Sequence, residues 1–265
     1  MAFDYYLALW QLTPDGDLMA TRSSRLLPVR CRDGTAAMLK IAIEEEERQG
    51  AALMAWWEGA GAARVLEREG DALLLERALG RSSLAAKARS ERDDEATRII
   101  SAVAARLHAP RPQPVPSLVP LSLWFRDLEP AAARHGGVLL RASTTARELL
   151  AAPQEITVLH GDLHHGNILD FGPRGWLAID PKGLLGERGF DFANIFCNPD
   201  PAVATAPGRL KRQVEIVAEA AGLERSRLLK WILAYAGLSA AWTLGEGKRP
   251  DIALAVAQSV TTELG

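Results

Sequence analysis

Residues 158–181 read VLHGDLHHGNILDFGPRGWLAIDP, and the fold class turns on the chemistry this stretch can perform. It holds three histidines, three aspartates and one asparagine. Imidazole and carboxylate spaced as His160-x-Asp162-x-His164-His165 are good zinc ligands, so a two-metal hydrolase cluster is one reading. Its remaining ligands would come from elsewhere: the only other histidines are His108 and His135, although several carboxylates are available. Phosphoryl transfer is the other reading. Asp162-x-x-x-x-Asn167 has the spacing in which the aspartate accepts the proton of an attacking hydroxyl and the asparagine holds Mg²⁺.

A second carboxylate must hold the same ion, because Mg²⁺ takes oxygen ligands and usually only one or two carboxylates besides phosphates. Asp170-Phe171-Gly172 offers one. However, Gly172-Pro173-Arg174-Gly175 is a turn signal with apolar runs at 168–169 and 176–179, which is a β-hairpin pattern. Centring the turn between Pro173 and Arg174 sets Asn167 opposite Asp180, roughly 5 Å across the ladder. Asp170 runs into the turn instead. Asp180 is the expected metal ligand, and the literal DFG is a coincidence.

Around this stretch the chain changes character. YYLALW (5–10), RLLPVR (25–30), AAMLKI (36–41) and ALLLER (72–77) read as strands, with Asp15–Gly16 and Asp33–Gly34 as hairpin signals. EEEERQGAALMAWWEG (44–59) is a helix with Leu53, Met54 and Trp57 on one face and acids in its first turn. DDEATRIISAVAARLHAP (93–110) is a second helix, and 109–120, with five prolines in twelve residues, is an extended connector. Further helices are expected near 210–221, 226–244 and 251–262, with Leu228, Leu229, Ile232 and Tyr235 as a core face. The order predicts an α+β chain, mostly β over 1–78 and mostly α over 79–265; on the phosphoryl-transfer reading the first is a nucleotide-binding lobe and the second a catalytic and substrate-binding lobe.

The bulk numbers agree. With 265 residues, 48% of them hydrophobic, the chain can bury a sizeable core. A net charge of −2 with mixed signs gives no basic surface for nucleic acid. No apolar run of about 18 residues predicts a membrane span. The opening residues lack a signal-peptide pattern, and Cys31 and Cys197 form no CxxC, so a cytoplasmic protein is expected.

Upstream, Lys40 in Ala37-Met38-Leu39-Lys40 reads as the strand lysine that holds α/β-phosphates, with Glu47 on the next helix as its partner. Glu44 to Glu46 read as a solvated helix start. Backbone groups at Glu76 and Ala78 would meet adenine. No G-x-G-x-x-G exists; Ser23 and Ser24, in Thr21-Arg22-Ser23-Ser24, would cap phosphates in its place.

HGDLHHGN, WLAIDP and GERGFDFANIF resemble the aminoglycoside phosphotransferases, and more narrowly streptomycin 6-kinases; SSRLLPVR, WWEGAGAARVLE, AARLHAPR and GLSAAW extend the resemblance over nearly the whole chain. It implies a protein-kinase-like two-lobed fold and ATP- and Mg²⁺-dependent phosphorylation of streptomycin at its 6-hydroxyl by a monomer. By motif match Asp162 is the catalytic base, Asn167 and Asp180 are the Mg²⁺ ligands, and Lys40 with Glu47 positions the triphosphate. Asp191 and His160 would brace the loop. Between His160 and Asp200 six acids stand against three bases, a rim that would attract a guanidinium-bearing sugar. Trp124, Trp231 and Trp242 could stack on it or pack inside. Rival readings are a kinase for another small hydroxyl substrate and a nucleotide-binding regulator without catalysis, against which the full Lys40/Asp162/Asn167/Asp180 set argues.

Overall fold

A computed structural model describes residues 2–265. Its first third is an antiparallel sheet in which Ser24–Arg30, Ala36–Ala42, Ala72–Glu76 and Val65–Glu69 lie side by side in that order. Asp33–Gly34 lies in the turn joining the first two strands. Asp15–Gly16 does not make a hairpin. Thr13–Pro14 and Met19–Ala20 both pair with Ser24–Arg30, so the Asp-Gly interrupts one edge strand.

The stretch YYLALW, expected as a strand, is part of a helix, Ala2–Leu9. Phe3, Tyr6, Leu7 and Trp10 recur at helical spacing and pack on the outer face of the sheet, over Leu27, Val29, Leu39 and Leu74. A strand would have sent half of them to solvent. The strand Val65–Glu69 was not anticipated, because charged residues mask its alternation.

The helix Glu45–Trp57 turns its apolar face to the other core, the large one that the helical part of the chain builds. Trp57 is fully buried there, and its indole N–H donates to the Leu107 carbonyl at 3.2 Å. Truncating such a residue costs about 3–5 kcal/mol. This helix is therefore a rigid link between the sheet and the helical part.

That part contains Asp93–His108, Val138–Ala151, Arg209–Ala221, Arg225–Gly245 and Asp251–Leu264. Arg225–Gly245 runs through its centre, with Leu228, Leu229, Trp231 and Ile232 buried. The proline-rich connector is extended, but its end, Val119–Pro120, pairs in parallel with Leu184–Leu185. Proline tolerates this because an edge position needs no N–H from it. Among the described residues no helix is long and apolar enough to cross a membrane.

Candidate active site

Alternation along Ala36–Ala42 buries Ala37 and Leu39 on one face and leaves Lys40 on the other. Its ammonium pairs with both Glu47 and Asp180. Glu47 is the one glutamate of its run that is buried, in line with Gly50, Leu53, Met54 and Trp57 along the helix. Helical periodicity selects it from four candidates. Glu46 is not merely solvated, since it pairs with Lys182 at 2.7 Å. Burial alone would raise the Asp180 pKa; the Lys40 charge and hydrogen bond outweigh it and hold the carboxyl below its ordinary value. Lys40 and Glu47 form the shielded pair, 12% and 3% exposed, and removing either of them costs about 3–5 kcal/mol.

Asp162 follows the strand Ile156–Leu159 in a loop tied down at several points. Asp191 is buried and accepts the N–H groups of His160 at 2.9 Å and Gly161 at 2.7 Å. Its Oδ2 also meets His108 Nε2 at 2.8 Å. Burial would raise the Asp191 pKa, but these contacts, His108 foremost, lower it on balance. His160 Nδ1 accepts the Asp162 N–H at 3.2 Å, so its proton is on Nε2, which donates to the Ile179 carbonyl at 2.9 Å. Burial depresses the His160 pKa, keeping it neutral. With both nitrogens engaged, His160 has no lone pair for zinc, which removes a central ligand of the hydrolase reading.

The Asp162 carboxylate is itself aimed. Asn167 Nδ2 donates to Oδ2 at 3.0 Å and to the Asp162 carbonyl at 2.9 Å, while Asn194 Nδ2 donates to Oδ1 at 2.7 Å. Asn198 Nδ2 in turn donates to Asn194 Oδ1 at 2.8 Å, which fixes the flip of that amide. Sequence reasoning missed Asn194 and His108. Their signal was only the flanking motifs FDFANIF and AARLHAPR, because the contacts cross 32 and 83 residues of chain.

The hairpin exists, but its register differs from the expected one by a residue. Ile168, Leu169 and Asp170 pair with Ala178, Leu177 and Trp176, so the turn centres on Pro173 and Asn167 faces Ile179, not Asp180. The cause is a tight 3₁₀ turn over Gly172–Arg174. The Ile179 N–H donates to the Asn167 carbonyl at 2.9 Å, and Asp180 then leaves the ladder with a left-handed φ of 63°. Aspartate tolerates that conformation better than most residues, and here it directs the carboxylate to Lys40. Asp170 points elsewhere: it accepts N–H groups from Gly172 at 2.9 Å and Ser82 at 3.3 Å, fastening the hairpin to the segment after the sheet.

Other expected positions divide. The Ser23 hydroxyl donates to Glu47 at 2.6 Å, and Ser23 lines the main cavity. Ser24 is buried, with its hydroxyl 3.0 Å from the Thr21 hydroxyl, which also accepts its N–H, so it has no group free for a phosphate. The Glu76 N–H donates to the Arg64 carbonyl and its carboxylate pairs with Arg174, while Ala78 is half-buried just after the strand Ala72–Glu76.

A cavity of about 990 Å³ opens beside Asp162, between the start of the Glu45–Trp57 helix and the end of Arg225–Gly245. Trp124 and Trp242 line it in edge-to-face contact at 5.5 Å, and the Trp242 indole N–H donates to Asp127 at 3.3 Å. Trp231 does not reach it; it is buried and donates to Glu187 at 2.6 Å. Two residues of its lining, Arg22 and Glu246, make an exposed ion pair at 2.7 Å. The lining acids Glu44, Glu45, Glu46, Asp127, Asp162 and Glu246 outnumber Arg22, Arg126, Arg134 and Lys182, a balance that favours a cation. The Asn167 amide and the Asp180 carboxylate form an oxygen-only donor pair. Asn167 makes its side-chain hydrogen bonds through Nδ2, which leaves its amide oxygen as a ligand alongside the Asp180 carboxylate, so the residue types fit Mg²⁺.

The profile of the family described as aminoglycoside/hydroxyurea antibiotic resistance kinase matches residues 9–247. A streptomycin 3''-kinase of Klebsiella pneumoniae is 55% identical over 243 residues, 90% of this chain and 91% of that protein. A streptomycin 6-kinase of Streptomyces griseus is 31% identical over 251 residues, 90% of this chain and 80% of its own. Among solved structures, an aminoglycoside phosphotransferase from Streptomyces rimosus, in complex with ADP and streptomycin, superposes with a TM-score of 0.58 at 19% identity, covering 90% of this chain and 98% of its own. The shared architecture is the protein-kinase-like one.

Proposed function

The chain belongs to the aminoglycoside/hydroxyurea antibiotic resistance kinase family, and from that premise we propose that it transfers the γ-phosphate of ATP to the 3''-hydroxyl of streptomycin. One observation carries the reaction class: Asp162, aimed by two amides, stands at the cavity wall while Lys40, Glu47 and Asp180 form one charge cluster. The sequence resemblance pointed to the 6-hydroxyl. The 55% identity to a 3''-kinase, against 31% to a 6-kinase, favours the 3'' position. A cavity of about 990 Å³ suits a sugar-based antibiotic better than a molecule as small as hydroxyurea.

Each residue then has a defined task. Asp162 accepts a hydrogen bond from the acceptor hydroxyl, aligns its oxygen with the γ-phosphorus and takes the proton as the new P–O bond forms. Asn167 and Asn194 hold that carboxylate in place. Lys40, fixed by Glu47, neutralises the α/β-phosphates, and the Ser23 backbone N–H at the cavity edge caps them, its hydroxyl being held by Glu47. Adenine rests against the backbone from Glu76 to Ala78. Asn167 and Asp180 would hold Mg²⁺, which when bound would offset the negative charge of the triphosphate. The acid-rich lining with Trp124 and Trp242 receives the cationic antibiotic.

The test is ADP release with Mg²⁺-ATP and streptomycin, kanamycin, choline or no acceptor, followed by NMR of the product. Streptomycin-dependent release with phosphorus coupled to the 3'' carbon is the expected result. Coupling at position 6 would overturn the choice of hydroxyl, and acceptor-independent release would overturn the substrate.

A further inference from the structure

Tyr235 lies in the middle of Arg225–Gly245, where the spacing of Leu228, Leu229 and Ile232 makes it read as one more core residue. Its ring is in the core, only 7% of the residue is exposed, and it meets Phe190 edge-to-face at 5.8 Å. Its outer end is different. Tyr235 lines the same cavity as Asp162, and among the described residues its hydroxyl has no hydrogen-bond partner. Buried tyrosine hydroxyls usually find one. In this core Trp57 finds its partner on Leu107 and Trp231 on Glu187, whereas the Trp124 indole N–H, on the same cavity, also lacks one.

Burial, and then the negative charge of Asp162, hold the Tyr235 pKa well above the ordinary tyrosine value. The phenol therefore remains an O–H donor throughout the working pH range. Donating to the attacking oxygen would draw electron density from the nucleophile, so its useful acceptor is a neighbouring oxygen of the same sugar.

We propose that Tyr235 is a substrate-positioning residue whose hydroxyl donates a hydrogen bond to a sugar oxygen adjacent to the hydroxyl held by Asp162. This rests on the kinase reading above and extends it to the acceptor: the preferred substrate is a sugar with an oxygen next to the reacting hydroxyl. A polar group left facing an unmatched ligand penalises binding, so the contact also discriminates against deoxy analogues.

Tyr235→Phe removes only the hydroxyl and keeps the ring on Phe190. The experiment titrates wild type and variant with a panel of aminoglycosides, following tryptophan fluorescence from the cavity, and measures steady-state kinetics alongside. The expected result is about a three- to ten-fold weaker Kd and lower kcat/KM for the acceptor. KM for ATP, acceptor-free ADP release and melting temperature should not change. Equal binding and kinetics in the two proteins would overturn the positioning role. A matching loss in acceptor-free ADP release would also overturn it, by placing the hydroxyl's effect on Asp162. Wild type that binds an aminoglycoside without phosphorylating it overturns the reaction, and the Kd comparison still decides Tyr235. Wild type that binds no member of the panel overturns both readings.

Discussion

Gly50 is where a single methyl group tests the architecture of the site. It lies on the buried face of the Glu45–Trp57 helix, one turn after Glu47. A Cβ built there falls 2.2 Å from the Pro181 carbonyl oxygen, and Pro181 directly follows Asp180. An ordinary carbon–oxygen contact is about 3.3 Å, so Gly50→Ala forces the helix and the loop apart by roughly 1 Å. Both obstructing groups are backbone, and no flexible side chain can absorb the shift. The movement lands on the junction where Lys40 bridges Glu47 and Asp180. Overpacking costs about 1–3 kcal/mol, while replacing glycine by alanine inside a helix returns about 1 kcal/mol. The net destabilisation is about 0–2 kcal/mol, or a melting temperature lower by up to roughly 8 °C for a protein of this size. Activity suffers more, because a 1 Å misplacement of reacting groups costs about 10²-fold. Differential scanning fluorimetry and acceptor-dependent ADP release measure the two quantities. A variant that melts higher than wild type, as helix propensity alone dictates, and stays within about three-fold of its kcat/KM would refute this account.

Other perturbations separate the roles further. Asp162→Ala should lower turnover by at least about 10²-fold with nucleotide binding intact, whereas Asp180→Ala should lose both metal-dependent nucleotide binding and turnover; equal nucleotide affinities in the two variants, measured by calorimetry, would contradict the division. Asn194→Ala removes a hydrogen bond at 2.7 Å to the Asp162 carboxylate and should lower kcat about ten-fold with KM for ATP unchanged; a wild-type kcat would show that Asn167 suffices. His165 is buried without a partner for either ring nitrogen, and burial, then repulsion from Arg209, push its pKa down to about 3. The unfolded chain takes up that proton first, near pH 6.5. The contribution to stability is thus complete above about pH 6.5 and lost as pH falls towards the folded value, by about 1.4 kcal/mol per unit. His165→Leu should flatten the fall in urea midpoint between pH 7.5 and 5, and a slope equal to that of wild type would exclude His165 as its source.

Much of this molecule is legible in one dimension. The 3.6-residue spacing in 93–108 and in the last three helices, and the hairpin that carries Asp170 into its turn, rest on local rules of backbone geometry, and those survive folding. The opening helix was misread because YYLALW is apolar on nearly every position, and only the wider frame with Phe3 and Trp10 shows its period. A register taken from a turn signal fails by one residue when the turn is a 3₁₀ one, since glycine and proline fit both. What only the tertiary structure decided are the contacts between distant segments: Asn194 on Asp162, His108 on Asp191, Ser23 rather than Ser24 at the cavity, and the tyrosine hydroxyl at the end of a core helix. Such groups carry no periodicity of their own. Their partners lie tens of residues away in the chain, and packing alone determines which polar end is left facing the substrate.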